Sequence, residues 1–146
     1  MITIDTREKK ISHILKAFDD MRIPYQMKKL DYGDYQNSDN QTVIIDRKQN
    51  LDEIAQNLCS KDDRRFWNEI RGAHKAGIKM IILCEHGHGV KSIQDAAKWK
   101  SAYSKVNGSW LINQMFNVSM AYGVEWRFCD RAATPKEILK ALECNR

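Results

Sequence analysis

Asp46 and Lys48 sit two residues apart in the stretch VIIDRK, residues 43–48. Residues i and i+2 of a strand point to the same side. An extended backbone here would aim the carboxylate and the ammonium at one place and send Arg47 the other way. Three more acids fall near expected strand ends: Asp5 and Glu8 in DTRE, and Asp34 in DYGDY. Asp34 precedes the polar segment QNSDNQ and Asp46 follows it, so strand pairing across that turn would bring the two together. Carboxylates gathered around a lysine suit phosphodiester hydrolysis. A divalent cation neutralises the developing charge and activates water. Mg²⁺ is a hard ion that takes oxygen ligands, usually one or two carboxylates with water and substrate phosphate. A nearby ammonium orients the attacking water or stabilises the pentacovalent transition state.

The elements that must hold these residues follow from periodicity. Strands are expected at 2–4, 25–30, 42–48, 79–85 and 124–129, with a hairpin formed by the two strands that flank the polar turn. Ile11, Ile14, Leu15 and Phe18 recur at helical spacing, with Pro24 closing that region. Asn50 is placed to cap a helix carrying Leu51, Ile54, Ala55 and Leu58, with Glu53 completing an Asx form of the capping box. Further helices are expected at 63–76, 92–99, from Ser109 to near Gly123, and from 134 onward, the last with Thr134 as cap and Pro135 at its first position. Strands interleaved with helices make an α/β sandwich, and the early hairpin makes its central sheet of about five strands mixed rather than parallel.

The chain has 146 residues, 42% hydrophobic and 29% charged, which fits one soluble globular domain over 1–146 rather than a disordered segment. A net charge of +5 tilts toward a polyanionic partner. Cys59, Cys84, Cys129 and Cys144 contain no C-x-x-C pair, so a zinc knuckle or thioredoxin-like site is not expected, and Cys84 and Cys129 read as reduced core residues. No apolar run is long enough to cross a bilayer and the N-terminus has no apolar signal region, so a cytoplasmic protein is expected.

The order DTRE, then Gly33-Asp34, then Asp46-Arg47-Lys48 with Asp52, resembles the nuclease domain of the XPF/Hef structure-specific endonucleases, within the PD-(D/E)xK superfamily. That family carries GD, a short spacer and ERK-x-x-x-D. RRFWNEI followed by a strand ending IILCE extends the likeness to about Glu85. The departure is Asp46, where the family has Glu. The chain also has no room for the tandem helix-hairpin-helix module or the helicase of larger members, so it looks like a stand-alone nuclease core. A phage or mobile element would carry such a core, placing it in the host-cell cytoplasm. The resemblance implies a restriction-endonuclease-like fold and a Mg²⁺-dependent DNA endonuclease, with Mn²⁺ able to substitute. Its substrates would be branched, flap or junction DNA, cut to leave 5′-phosphate and 3′-hydroxyl ends. It implies that Asp34, Asp46 and the backbone carbonyl of Arg47 hold the metal and that Lys48 assists the water. Asp5 and Glu8 would extend the acidic cluster, Arg47 and Asp52 would support it from behind, and Arg7 would meet phosphate. Family nuclease domains pair, so a homodimer or another protein partner fits the same picture.

Ordinary explanations stand beside these. Asp34 suits a turn on residue type alone, and Asp52 suits the first turn of a helix. Lys61, Arg64 and Arg65 form either a phosphate track or a solvated helix face. Phe66, Trp67, Trp110, Met115 and Phe116 read as core. His86 and His88 lack the partners that a metal site needs. The rival reading from another class is a nuclease fold without catalysis, serving as a DNA-binding or protein-docking module. A nucleotide-binding regulator is disfavoured because neither G-x-G-x-x-G nor a Walker loop is present.

Overall fold

A computed structural model describes residues 1–60 and 63–143. Lys61 and Cys144, named above, lie outside the described residues. Six strands form one mixed sheet: β1 (Ile2–Ile4), β2 (Tyr25–Met27), β3 (Tyr35–Asn37), β4 (Asn40–Lys48), β5 (Lys79–Cys84) and β6 (Glu125–Phe128), in the order β2-β1-β3-β4-β5-β6. β1 runs parallel to β2 and antiparallel to β3. β3 and β4 form the hairpin, and β4, β5 and β6 are parallel.

The alternation along β4 and β5 builds a core on each face. Ile44, Met80, Ile82 and Cys84 face α2 (Leu51–Cys59), α3 (Arg64–Lys75) and α4 (Gly108–Tyr122). Ile45, Ile81 and Leu83 face α1 (Ser12–Asp20) and α5 (Thr134–Ala141). Helices pack on both faces because the interior strands are apolar on both. Among the described residues no helix is long and apolar enough to cross a membrane. Cys84 and Cys129 are buried free thiols, and burial pushes Cys84 up to about 12.

The sheet departs from expectation at its second strand. Residues 25–30 do not form the hairpin. Tyr25–Met27 instead pairs in parallel with β1, and the partner of β4 is Tyr35–Asn37. Residues that read as part of a turn are strand because Tyr35 is fully buried and fixes the register opposite Ile45. The turn shrinks to Ser38-Asp39. The segment near 92–99 is a 3₁₀ helix over Ile93–Lys98.

Two caps also differ in detail. Asn50 accepts the Glu53 N–H as expected, but the Glu53 carboxylate accepts from Gln49 N–H, so the reciprocal half of the box falls one residue early. Thr134 already lies inside α5, and its hydroxyl donates to buried Glu85 at 2.6 Å instead of capping.

Candidate active site

The ends of β3 and β4 carry the site. Gly33 has φ +72°, and a Cβ there would come within 2.9 Å of the Ile45 carbonyl oxygen. Only glycine lets the chain turn this tightly against β4. Asp34 follows, and its N–H donates to that same Ile45 oxygen at 2.7 Å. The Asp34 carboxylate then accepts the Arg47 N–H at 2.8 Å. The hairpin thus brings Asp34 beside Asp46, as the sequence spacing anticipates. An extended residue's N–H and C=O point to one side of its strand. The Arg47 carbonyl therefore also faces the Asp34 side.

Alternation separates the rest. Asp46 and Lys48 open into a polar cleft of about 390 Å³ between the strand ends and helices α2 and α3. Lys48 Nζ lies 3.4 Å from Asp46, 3.9 Å from Glu53 and 5.2 Å from the centre of the Phe66 ring. Burial alone would lower the ammonium's pKa, but Asp46, Glu53 and Asp34 outweigh it and raise it. Lys48 is therefore a fixed positive charge, and not a neutral amine. Burial pushes the Asp34 carboxyl well above the usual carboxylate range, and the nearby charges of Asp46 and Glu8 add to that push.

Arg47 turns to the opposite face and is 2% exposed. Its Nε donates to Glu8 at 2.8 Å, its Nη1 pairs with Glu85, and its Nη2 donates to the Lys9 carbonyl at 2.7 Å. Glu8 also accepts the Tyr35 hydroxyl at 2.6 Å. Burial raises Glu8 despite the opposing pull of Arg47. Glu85 in turn binds His13 Nε2 at 3.1 Å as well as Thr134. This buried network ties α1 and α5 to the strand that bears the site.

Several residues sit differently from their expected roles. Asp5 does not line the cleft. Its two oxygens are taken by Arg7 and by the Leu30 N–H, and these bonds overcome burial to lower its pKa. Arg7 does reach the cleft, held between Asp5 at 2.8 Å and Glu69 at 3.6 Å. Asp52 points away from Lys48 and accepts the Ser101 hydroxyl at 2.8 Å. Arg65 lines the cleft beside Glu69, whereas Arg64 is exposed and outside it. His86 Nδ1 accepts the Leu51 N–H at 3.1 Å and so closes the start of α2.

Among the cleft residues that carried no signal as site residues are Glu53, Asn57 and Glu69. Glu53 was legible only as a capping residue, and Glu69 and Asn57 belong to helices whose rotation the sequence leaves open. Glu69 is raised by burial and by Asp46. Asn57 Oδ1 is the buried side-chain oxygen without a partner among the described residues.

Among the described residues no group of three or more His, Cys, Asp or Glu is arranged to hold a metal. The donors fit a hard divalent ion nonetheless. Asp34 and Asp46 are two carboxylates pressed together, and a cation between them would relieve their repulsion. The orphaned Asn57 oxygen in the same cleft is a ready acceptor for a water on such an ion.

A family model described as the ERCC4 domain matches residues 4–142. Two solved structures of XPF from Aeropyrum pernix, the second in complex with DNA, are similar to the chain, with TM-scores of 0.71 and 0.72 at 17% identity. Each match covers 97% of this chain and 63% or 62% of the other, so the chain spans about three fifths of those structures. At that identity the likeness is one of fold. No curated protein sequence matches the chain.

Proposed function

The chain belongs to the ERCC4 domain family, and on that premise we propose that it is a Mg²⁺-dependent endonuclease that hydrolyses DNA at branched, flap or junction structures. The observation that carries the proposal is the convergence of Asp34, Asp46 and Lys48 in one polar cleft. The basic chain and the DNA in the complex of the similar XPF protein support the choice of substrate.

Asp34, Asp46 and the Arg47 carbonyl would hold the ion. When bound, it supplies a Lewis acid for the phosphate and a water of lowered pKa. Asp46 is one methylene shorter than the Glu of the motif it resembles, and Asp34, beside it across the hairpin, would share the ion. The Lys48 ammonium donates to the attacking water or to the phosphate oxygens as charge gathers on them. It is held there from three sides, by Asp46, by Glu53 and by the face of Phe66. Such a charge works best when preorganised, because no reorganisation is needed as the reaction proceeds. Arg7 and Arg65 flank the cleft and would meet neighbouring phosphates. Arg47 and its partners Glu8 and Glu85 keep β4 from shifting, which keeps Asp46 and Lys48 in register.

The test is cleavage by the purified protein with Mg²⁺ or Mn²⁺ across linear, flap, fork, loop and four-way DNA, with RNA and RNA/DNA hybrids included. Metal-dependent cutting of the branched forms with 5′-phosphate products is expected. Binding without cutting on every substrate would instead make the domain a non-catalytic DNA-binding module.

A further inference from the structure

Helix α2 forms one wall of the cleft and also borders a second depression on its far side. Glu53 lines both the cleft and a cavity of about 610 Å³. Cys59, at the other end of the helix, lines that cavity and a further one of about 640 Å³. The three hollows thus adjoin one another along α2, through Glu53 at one end and Cys59 about 9 Å of helix away, and make an interrupted groove beside it.

The opposite wall is a small hairpin over residues 100–107. Lys100 bridges Asn107, and Ser101 N–H donates to the Val106 carbonyl at 2.9 Å. The Ser101 hydroxyl fastens this hairpin to Asp52 in the first turn of α2. Gly108 ends it at a point where a Cβ would lie 2.0 Å from the Ala96 carbonyl oxygen. The wall is thus tied to the fold at both ends.

The charges of this wall are all positive, while the α2 side of the inner cavity carries Asp52 and Glu53. No acid occurs between Asp95 and Glu125, while Lys98, Lys100 and Lys105 are all exposed. Tyr103 stands at the hairpin tip, 87% exposed, and Trp110 lines the outer cavity beside Lys105.

We propose that this groove takes the unpaired strand of a DNA substrate whose scissile phosphate occupies the cleft. The proposal rests on the nuclease reading and adds to it the element that selects for single-stranded DNA. Bases stack on Tyr103 and Trp110, and phosphates meet Lys105 in the outer cavity, away from the carboxylates of Asp52 and Glu53. Aromatic faces accept any base and lysines accept any phosphate, so such a track binds single strands with little regard to sequence. Bases inside a duplex are already stacked on both faces and have none to offer.

The test uses the whole chain with a chelator present, so that nothing is cut, and a fluorescein-labelled oligothymidylate as probe. Tyr103→Ala and Lys105→Ala together are expected to weaken binding by roughly fivefold or more, the effect of losing one base-stacking platform. Tyr103→Phe, which keeps the ring, should bind like the wild type. A 5-iodo-2′-deoxyuridine in place of one thymidine should photocrosslink within residues 101–110. Unchanged affinity in the double variant, or crosslinks that map only elsewhere, would overturn the proposal. So would binding of oligouridylate RNA with none of the DNA oligomer. The two readings fail separately. A protein that cuts flaps while the double variant binds and cuts normally loses the groove but stays a nuclease. A protein that never cuts but binds the oligomer through Tyr103 keeps the groove and loses the nuclease reading.

Discussion

Replacing Arg47 by Met removes the charge at the centre of the buried network and keeps the length and apolar stem of the side chain. Glu8 and Glu85, 10% and 3% exposed, then lose the partner they share. Removing one side of a buried ion pair costs about 3–5 kcal/mol, because the remaining charge stays buried without compensation. A domain of this size loses about 2–4 °C of melting temperature per kcal/mol, so the variant should melt roughly 6–20 °C lower at neutral pH. The pH dependence gives a second reading. Burial already raises Glu8 in the fold, with Arg47 opposing. Without Arg47 it rises further. A carboxyl raised on folding contributes stability that is present below its unfolded pKa and is lost as pH rises through its folded pKa. The deficit of the variant should therefore be larger at pH 8 than at pH 5. Thermal unfolding followed by circular dichroism at both values measures it. A melting temperature within about 2 °C of the wild type at pH 8, or a deficit that grows on acidification, would refute the view that this network holds the site's strand.

Glu53→Gln, which keeps an acceptor for the Gln49 N–H, should slow cleavage by roughly tenfold by weakening the hold on Lys48, with little change in melting temperature; single-turnover kinetics on a flap substrate would show it. Gly33→Ala places a Cβ against the Ile45 carbonyl at positive φ and should cost at least about 1–2 kcal/mol, read from the urea midpoint. Mg²⁺ should raise the melting temperature more at pH 8 than at pH 5, because the raised Asp34 carboxyl must lose its proton before it can ligate; Asp34→Asn should abolish that shift.

The parts of the site legible in the sequence are those set by strand alternation and by the hairpin. Asp46 and Lys48 share a face, Arg47 takes the other, and Gly33-Asp34 lies at pairing distance, all because a strand's period is two and glycine permits the tight approach. The helix-borne residues were less legible. Successive residues on a helix are turned by about 100°, so Asp52 and Glu53 cannot both face Lys48, and spacing alone does not say which does. The structure turns Glu53 toward Lys48 and Asp52 toward Ser101. Asp5 was placed at a strand end correctly, but the Leu30 N–H and Arg7 that claim its oxygens are tertiary partners without a local signal. β3 was hidden for a similar reason. Three residues rich in polar groups look like a turn until the burial of Tyr35 makes them a strand. The contact between Thr134 and Glu85 joins residues 49 apart in sequence, beyond the reach of any local pattern.

The most direct measurement compares cleavage of flap and fork DNA in Mg²⁺ by the wild type, Lys48→Ala and Asp46→Asn, each first shown to be folded by its melting temperature. The wild type should cut near the junction, and either substitution should stop cutting while DNA binding persists. Undiminished cutting by either variant, or no cutting by the wild type on any branched substrate, would contradict the proposed active site.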